Sequence, residues 1–172
     1  MSLSRSMDLP ALDRVDTLAQ ELALLQDKGT RRIAILGSRH VPVVAIHLIE
    51  LIARSLAQEG HSLITSGAQG VNAAVIRGVL EVDPSRLTVL LPQSLERQAP
   101  EIRDQLVRVL HLIEKPEHDD LPLPMASSRC NQDIISRCDQ LICLAFHDSE
   151  TLLNSCRSAE DMGKVVSLLF FD

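Results

Sequence analysis

Short apolar runs separated by amphipathic stretches constrain this chain more than any other feature. "IAIL" (33–36), "SLIT" (62–65), "RLTVLLP" (86–92), "HLIE" (111–114), "QLICLAF" (140–146) and "KVVSLLF" (164–170) read as strands. Most lack the apolar–polar alternation of a sheet with one wet face. A strand that is apolar on both sides is buried on both sides, which calls for a parallel sheet covered by helices. The segments between have helical spacing: 43–60, closed by Gly60; 71–80; 100–110, with Pro100 in a favoured first-turn position; 127–138, with a serine at its start; and 149–163, ended by Gly163. The expected fold is α/β: a doubly wound, mainly parallel sheet of about six strands with helices on both faces.

Residues 1–10 read as a loose polar start. From residue 11 to 26, Leu12, Val15, Leu18, Ala19, Leu22 and Leu25 recur at helical spacing, and Gly29 follows as a stop. The organisation expected is a tail and helix over 1–30 and one domain over 31–172, a length that buries a sizeable core. The segment "KPEHDDLPLP" (115–124), rich in proline and acid, reads as a loop, with Asp119 and Asp120 solvated.

Several function classes find little support. The net charge is -6, and three phenylalanines are the only aromatic residues. The chain therefore lacks the broad positive field of many nucleic-acid binders and the rings on which single strands stack. Cys130, Cys138, Cys143 and Cys156 show no CxxC spacing, and the six histidines are dispersed without an HxxxH pair, so no metal or other cofactor is expected. With no secretory leader read, the cysteines are expected as reduced thiols, two or more in the core, in a cytoplasmic protein. The longest apolar stretch contains His47 and Glu50 and is too short to span a membrane. No GxSxG elbow is present and no base is placed to activate a thiol, so no catalytic residue is assigned and the chain reads as non-enzymatic.

In doubly wound sheets, ligands sit beyond the carboxyl ends of the strands, near a topological switch. That edge collects Gly37–His40, Ser66–Asn72, Pro92–Arg97 and the loop after Phe146. Gly37, Ser38 and Arg39 form either an anion cradle, with backbone N–H groups and a planar donor fork, or a tight turn beside an exposed arginine. Ser66, Gly67, Gly70 and Asn72 have the same form on the next strand, with Asn72 capping a helix as the plainer reading. Arg129 and Asn131 fall at or near the expected helix start. An arginine there opposes the helix dipole, so it has either a ligand or an ion pair to Asp133 at i+4. Ser149 reads as an N-cap, with Thr151 and Asn154 as polar neighbours.

With these loops placed, the chain resembles the DprA (Smf) DNA-processing family, within the superfamily that includes the Lonely guy (LOG) phosphoribohydrolases. The likeness covers about residues 31–170 and rests on "IAILGSRH", "LAQEGHSLITSGAQGVNAAVIRGVL", "TVLLPQSLERQAPEIRDQL" and "SSRCNQDIISRCDQLICLAFHDSETLLNSCRSAEDMGKVV" in that order. It implies a Rossmann-like fold, binding of single-stranded DNA, a homodimer or higher homo-oligomer, and partnership with a RecA-like recombinase. By position it implies a phosphate-binding set of Gly37, Ser38, Arg39, Ser66, Gly67, Gly70, Arg129, Asn131 and Ser149. The chain departs from the family pattern at Asn72 (an aspartate there), Ile76 (a histidine), Gln132 with Arg129 displaced by one, and Glu150 (a glycine). A small-nucleotide binder or sensor is the alternative, and a protein-interaction role with a vestigial pocket a further one. A LOG-type hydrolase fits poorly, because "LAFHDSET" has none of the glycines of that family's PGGxGTxxE stretch.

Overall fold

The structure, a computed structural model, describes residues 29–172. The helix expected over 11–26 lies outside the described residues. The elements are β1 (Arg32–Gly37), α1 (Val43–Gln58), β2 (Ser62–Ser66), α2 (Val71–Leu80), β3 (Leu87–Leu90), α3 (Pro100–Leu106), β4 (His111–Ile113), α4 (Leu123–Arg137), β5 (Gln140–Ala145), α5 (Glu150–Asp161) and β6 (Val165–Phe170). All five strand pairings are parallel, and the order is β4-β3-β2-β1-β5-β6. The fold is Rossmann-like α/β. The chain builds outward from β1 to β4. It then returns across the sheet through α4 to lay β5 and β6 on the other side of β1. The strand order therefore reverses between β1 and β5, where such sheets open a crevice at their carboxyl edge.

The inner strands feed two cores. Ile33 and Ile35 of β1, Leu63 of β2 and Val89 of β3 pack with Ile49, Val75, Ile76 and Ile102 of α1, α2 and α3. Their alternate neighbours Ala34, Leu36, Ile64 and Leu90 meet Cys130, Ile134 and Ile135 of α4 and Cys156 and Ala159 of α5 on the opposite face. This double burial is why "IAIL" shows no alternation. All four cysteines are buried free thiols, and burial pushes Cys130 up to about 12, far from a reactive thiolate. Among the described residues, no helix is long and apolar enough to cross a membrane.

Several element ends differ from expectation. Helix α1 stops at Gln58, before Gly60 turns the chain at a φ of 93°. Helix α3 stops at Leu106, because the chain must turn back toward β4; Val107 and Leu110 are left exposed. Strand β3 spans only Leu87–Leu90, and Pro92, which has no N–H, cannot extend the ladder. The largest change is at α4, which begins at Leu123 rather than 127. Its N-cap is Pro122 and Pro124 lies in its first turn, where a missing N–H costs nothing. Prolines that read as loop are thus the start of a helix. Arg129 and Asn131 lie in its second and third turns, not at its N-terminus.

An ion pair fastens the amino ends of β1 and β5. Asp139 accepts from the Arg32 backbone N–H at 2.9 Å and from its guanidinium at 2.8 Å. The Arg32 hydrogen bonds hold the Asp139 carboxyl below the usual carboxylate range. A carboxylate with a depressed folded pKa contributes stability that is present above its unfolded pKa, about 3.9, and lost as pH falls through the folded value. Urea midpoints measured from pH 6 down to pH 2 should therefore fall less steeply for Asp139→Asn than for the parent chain.

Candidate functional site

The β1/β5 switch point opens into a cleft of about 810 Å³. Gly37, Ser38, Arg39 and His40 line it from the end of β1 and the loop after it, Ser66 and Ala68 from the end of β2 and its loop, Asn72 from the first turn of α2, Ser127 and Asn131 from α4, and Asp148, Ser149 and Glu150 from the β5–α5 junction. A second recess of about 380 Å³ shares Arg39, Ser66, Ala68, Ser127 and Asn131 with it. It continues past Gln69, Gln93, Arg97 and Gln98 at the ends of β2 and β3. Together they form one groove along the carboxyl edge of the sheet.

The glycines have a geometric reason. A Cβ on Gly37 would collide with the Val71 side chain and the Leu144 carbonyl oxygen. Gly70 has a φ of 74°, and a Cβ there would collide with the carbonyls of Ser38 and Arg39. The two loops press together: Val71 N–H donates to Ser38 O at 3.1 Å, and Ser38 N–H to Leu144 O at 3.0 Å. These contacts use two N–H groups that an anion cradle would need. Gly37 and Gly70 therefore seat the loops against each other.

The polar side chains of the cleft are held in place. Asn72, 4% exposed, donates its amide to Ser66 Oγ, while its Oδ1 has no hydrogen-bond partner. Asn72 thus braces the β2 loop, and no side chain caps α2, contrary to the capping reading. Removing the brace as Asn72→Ala should cost about 1 kcal/mol of stability in a urea melt, the usual net worth of one hydrogen bond. Ser38 Oγ lies 3.4 Å from Ser149 Oγ, which accepts from Phe146 N–H at 3.2 Å. Ser149 occupies the N-cap position of α5, but its hydroxyl reaches back to the loop instead of to an α5 N–H. Asn131, buried, donates to Ser155 Oγ at 3.2 Å, tying α4 to α5.

Arg129 is not brought to the cleft. On α4, Ser127 and Asn131 share a face, and a residue two positions along points elsewhere. Arg129 lines a separate recess of about 170 Å³ with Lys115, His118 and Asp133. The alternative pair to Asp133 is also absent: that carboxylate takes Arg137 at 2.8 Å and Lys115 at 3.6 Å. Gly67 faces the second recess, and a Cβ on it would collide with Leu91. Arg97, Gln93 and Gln98 are groove residues the sequence reading left out of its site. Their signal was their place in the loop after the third strand.

The groove is electrostatically two-sided. Arg39 and Arg97 are exposed on one wall, and among the described residues neither forms a salt bridge. Asp148, Glu150 and Asp172 line the other end. Asp172 is engaged there, its carboxyl held below the ordinary range by hydrogen bonds from His147, whose ring lies 2.8 Å away. An anion is thus drawn toward Arg39 and Arg97 and repelled from the β5–α5 loop. Hydroxyls, amides and guanidinium groups are donors suited to phosphate oxygens.

The family model described as DNA recombination-mediator protein A matches residues 21–168. No curated protein matches the chain by sequence. Among solved structures, the chain is similar to DNA processing protein A from Helicobacter pylori, reported for a unique single-stranded DNA binding mode. Identity is 23% and the TM-score 0.67, over 80% of this chain and 64% of that one. It is similar to DNA processing protein A from Streptococcus pneumoniae, at 19% identity and a TM-score of 0.65, over 86% of this chain and 52% of that one. It is also similar to TM1055, a structural-genomics target, at 18% identity and a TM-score of 0.55, over 80% and 72%. These likenesses show the fold. The chain spans less than two thirds of the length of either DNA processing protein.

Proposed function

Because this chain belongs to the DNA recombination-mediator protein A family, we propose that its switch-point groove binds the sugar–phosphate backbone of single-stranded DNA without catalysing a reaction on it. The observation that carries this reading is Arg39. It stands at the junction of the two recesses, outside any salt bridge among the described residues, beside the serine hydroxyls of three different loops. Arg39 and Arg97 hold phosphates as planar donors, and Ser38, Ser66 and Ser149 add hydroxyl contacts. The two recesses, about 380 and 810 Å³, share Arg39, Ser66 and Asn131 and so make a continuous groove along the sheet edge, a shape that an extended strand of nucleotides would follow. In the same reading the protein works as a homodimer or higher homo-oligomer in the cytoplasm, alongside a RecA-like recombinase.

A small-nucleotide binder is the second reading, and the acidic end of the cleft favours it. Asp148 and Glu150 would repel a continuing chain of phosphates, yet they would accept hydrogen bonds from sugar hydroxyls or base amines. Fluorescence anisotropy with a labelled single-stranded oligonucleotide separates the two. Under the first reading the oligonucleotide binds at low salt, and unlabelled single strand displaces it far better than nucleoside 5′-monophosphates. Displacement by a monophosphate at comparable concentration selects the second reading.

A further inference from the structure

We infer that Asp119 is a positioning residue for the groove: its carboxylate holds the turn that carries Arg97, and so fixes where that guanidinium stands at the carboxyl edge of the sheet. The inference rests on the proposed binding of single-stranded DNA there. No strand ladder holds the Arg97 loop. Strand β3 ends at Leu90, α3 starts at Pro100, and between them Leu95–Arg97 make one turn of 3₁₀ helix. Ser94 precedes the turn, and its side chain does not cap it. The first backbone N–H groups of such a turn have no partner inside it and must find one elsewhere. They find carboxylates from the β4–α4 connection. Ser94 N–H donates to Asp119 Oδ1 at 2.8 Å, and Leu95 N–H to Glu114 Oε2 at 2.7 Å. Asp119, expected in solvent from the sequence, is thus bound to the neighbouring loop.

The platform that presents Asp119 is itself tied down. Residues 115–121 fold into successive tight turns: His118 N–H donates to Lys115 O at 2.9 Å, Asp119 N–H to Pro116 O at 3.1 Å and Leu121 N–H to His118 O at 3.0 Å. Gln93, 6% exposed, donates its side-chain amide to His118 O and Leu121 O, both at 3.1 Å. Its backbone carbonyl accepts from Lys115 N–H at 3.2 Å. The two loops are therefore bonded in both directions.

Arg97 is exposed and belongs to no salt bridge among the described residues. Asp119 feels its charge without pairing with it: the Ser94 N–H, and to a smaller degree the Arg97 guanidinium, hold the Asp119 carboxyl below the ordinary range. Arg97 is thus fixed at its backbone and free at its guanidinium. A donor placed before the ligand arrives loses less freedom on binding.

The sign of a substitution separates position from charge. A carboxylate beside the groove repels a polyanion, so removing Asp119 for its charge alone would tighten binding. As a positioning residue, Asp119→Ala should instead weaken binding of a labelled single-stranded oligonucleotide by roughly threefold to tenfold, part of the worth of one charge-assisted hydrogen bond. Asp119→Asn keeps an acceptor for the Ser94 N–H and should bind at least as tightly as the parent. In an Arg97→Ala background, Asp119→Ala should cost nothing further. Unchanged or tighter binding by Asp119→Ala, an equal loss in Asp119→Asn, or a full further loss without Arg97 would each overturn the inference. If the parent chain binds no oligonucleotide, the DNA reading fails, and the positioning is decided without ligand by NMR hydrogen exchange at the Ser94 and Arg97 amides. Slow exchange in the parent and in Asp119→Asn, with fast exchange in Asp119→Ala, is expected. Equal exchange in all three would overturn the inference.

Discussion

Gly70→Ala should lower the stability of the domain by about 2–6 kcal/mol, the sum of strain at a positive-φ conformation that only glycine adopts readily and of overpacking. The strain arises because the residue sits at a φ of 74°. The overpacking arises because the new methyl meets the carbonyls of Ser38 and Arg39, backbone atoms with no rotamer to escape into. Relief requires the β1 and β2 loops to separate, breaking the bond from Val71 N–H to Ser38 O. Gly163→Ala is the control for a positive φ in open space. It has a φ of 74° with nothing near the added carbon, so it meets no collision and should cost less, about 1–2 kcal/mol. Urea melts of both variants should show the larger loss at Gly70. Equal losses would show that the loops are not in contact. Because those loops carry Ser38, Arg39 and Ser66, Gly70→Ala should also weaken ligand binding at temperatures where it remains folded.

Arg39→Ala should weaken binding of a single-stranded oligonucleotide by roughly 10- to 100-fold, the worth of a charge-assisted hydrogen bond of about 1.5–3 kcal/mol. The side chain is exposed and forms no ion pair among the described residues, so the melting temperature should stay unchanged while affinity falls. Arg129→Ala serves as the contrast. Its side chain lines a different recess, beside Lys115 and Asp133, and its affinity should stay within about threefold of the parent. Anisotropy titrations of the two variants in the same buffer decide this. Equal losses would return Arg129 to the binding surface and remove Arg39 as its anchor.

These expectations show which parts of the molecule are legible in the sequence. Strands buried on both faces announce themselves as apolar runs, and all six appear where such runs fall. Helix α2 matches its expected bounds because Gly70 and the turn after Leu80 punctuate both ends. The sheet order is not written in any local pattern, since it depends on which strands meet after α4 crosses the sheet. The start of α4 was hidden for a related reason. Pro122 and Pro124 look like loop residues, yet proline suits a first turn, and only packing of the helix against β1 and β2 decides between the two. Among the site residues, Ser38, Ser66, Asn72, Asn131 and Ser149 converge because each follows a strand or faces the switch point. Arg129 was assigned by motif alignment, and helical angle carries it away. The roles of Gly37 and Gly70 in loop contact needed coordinates, because a glycine that admits a ligand and one that admits a neighbouring loop look alike in one dimension.

Whether phosphates bind at Arg39 and Arg97 is read from the salt dependence of single-strand binding. Two phosphates neutralised on a single strand predict that log K falls with log salt at a slope of about −1.4, and Arg39→Ala should flatten that slope by about 0.7. An oligonucleotide that fails to bind at low salt, or binds with a slope near zero, would contradict the account.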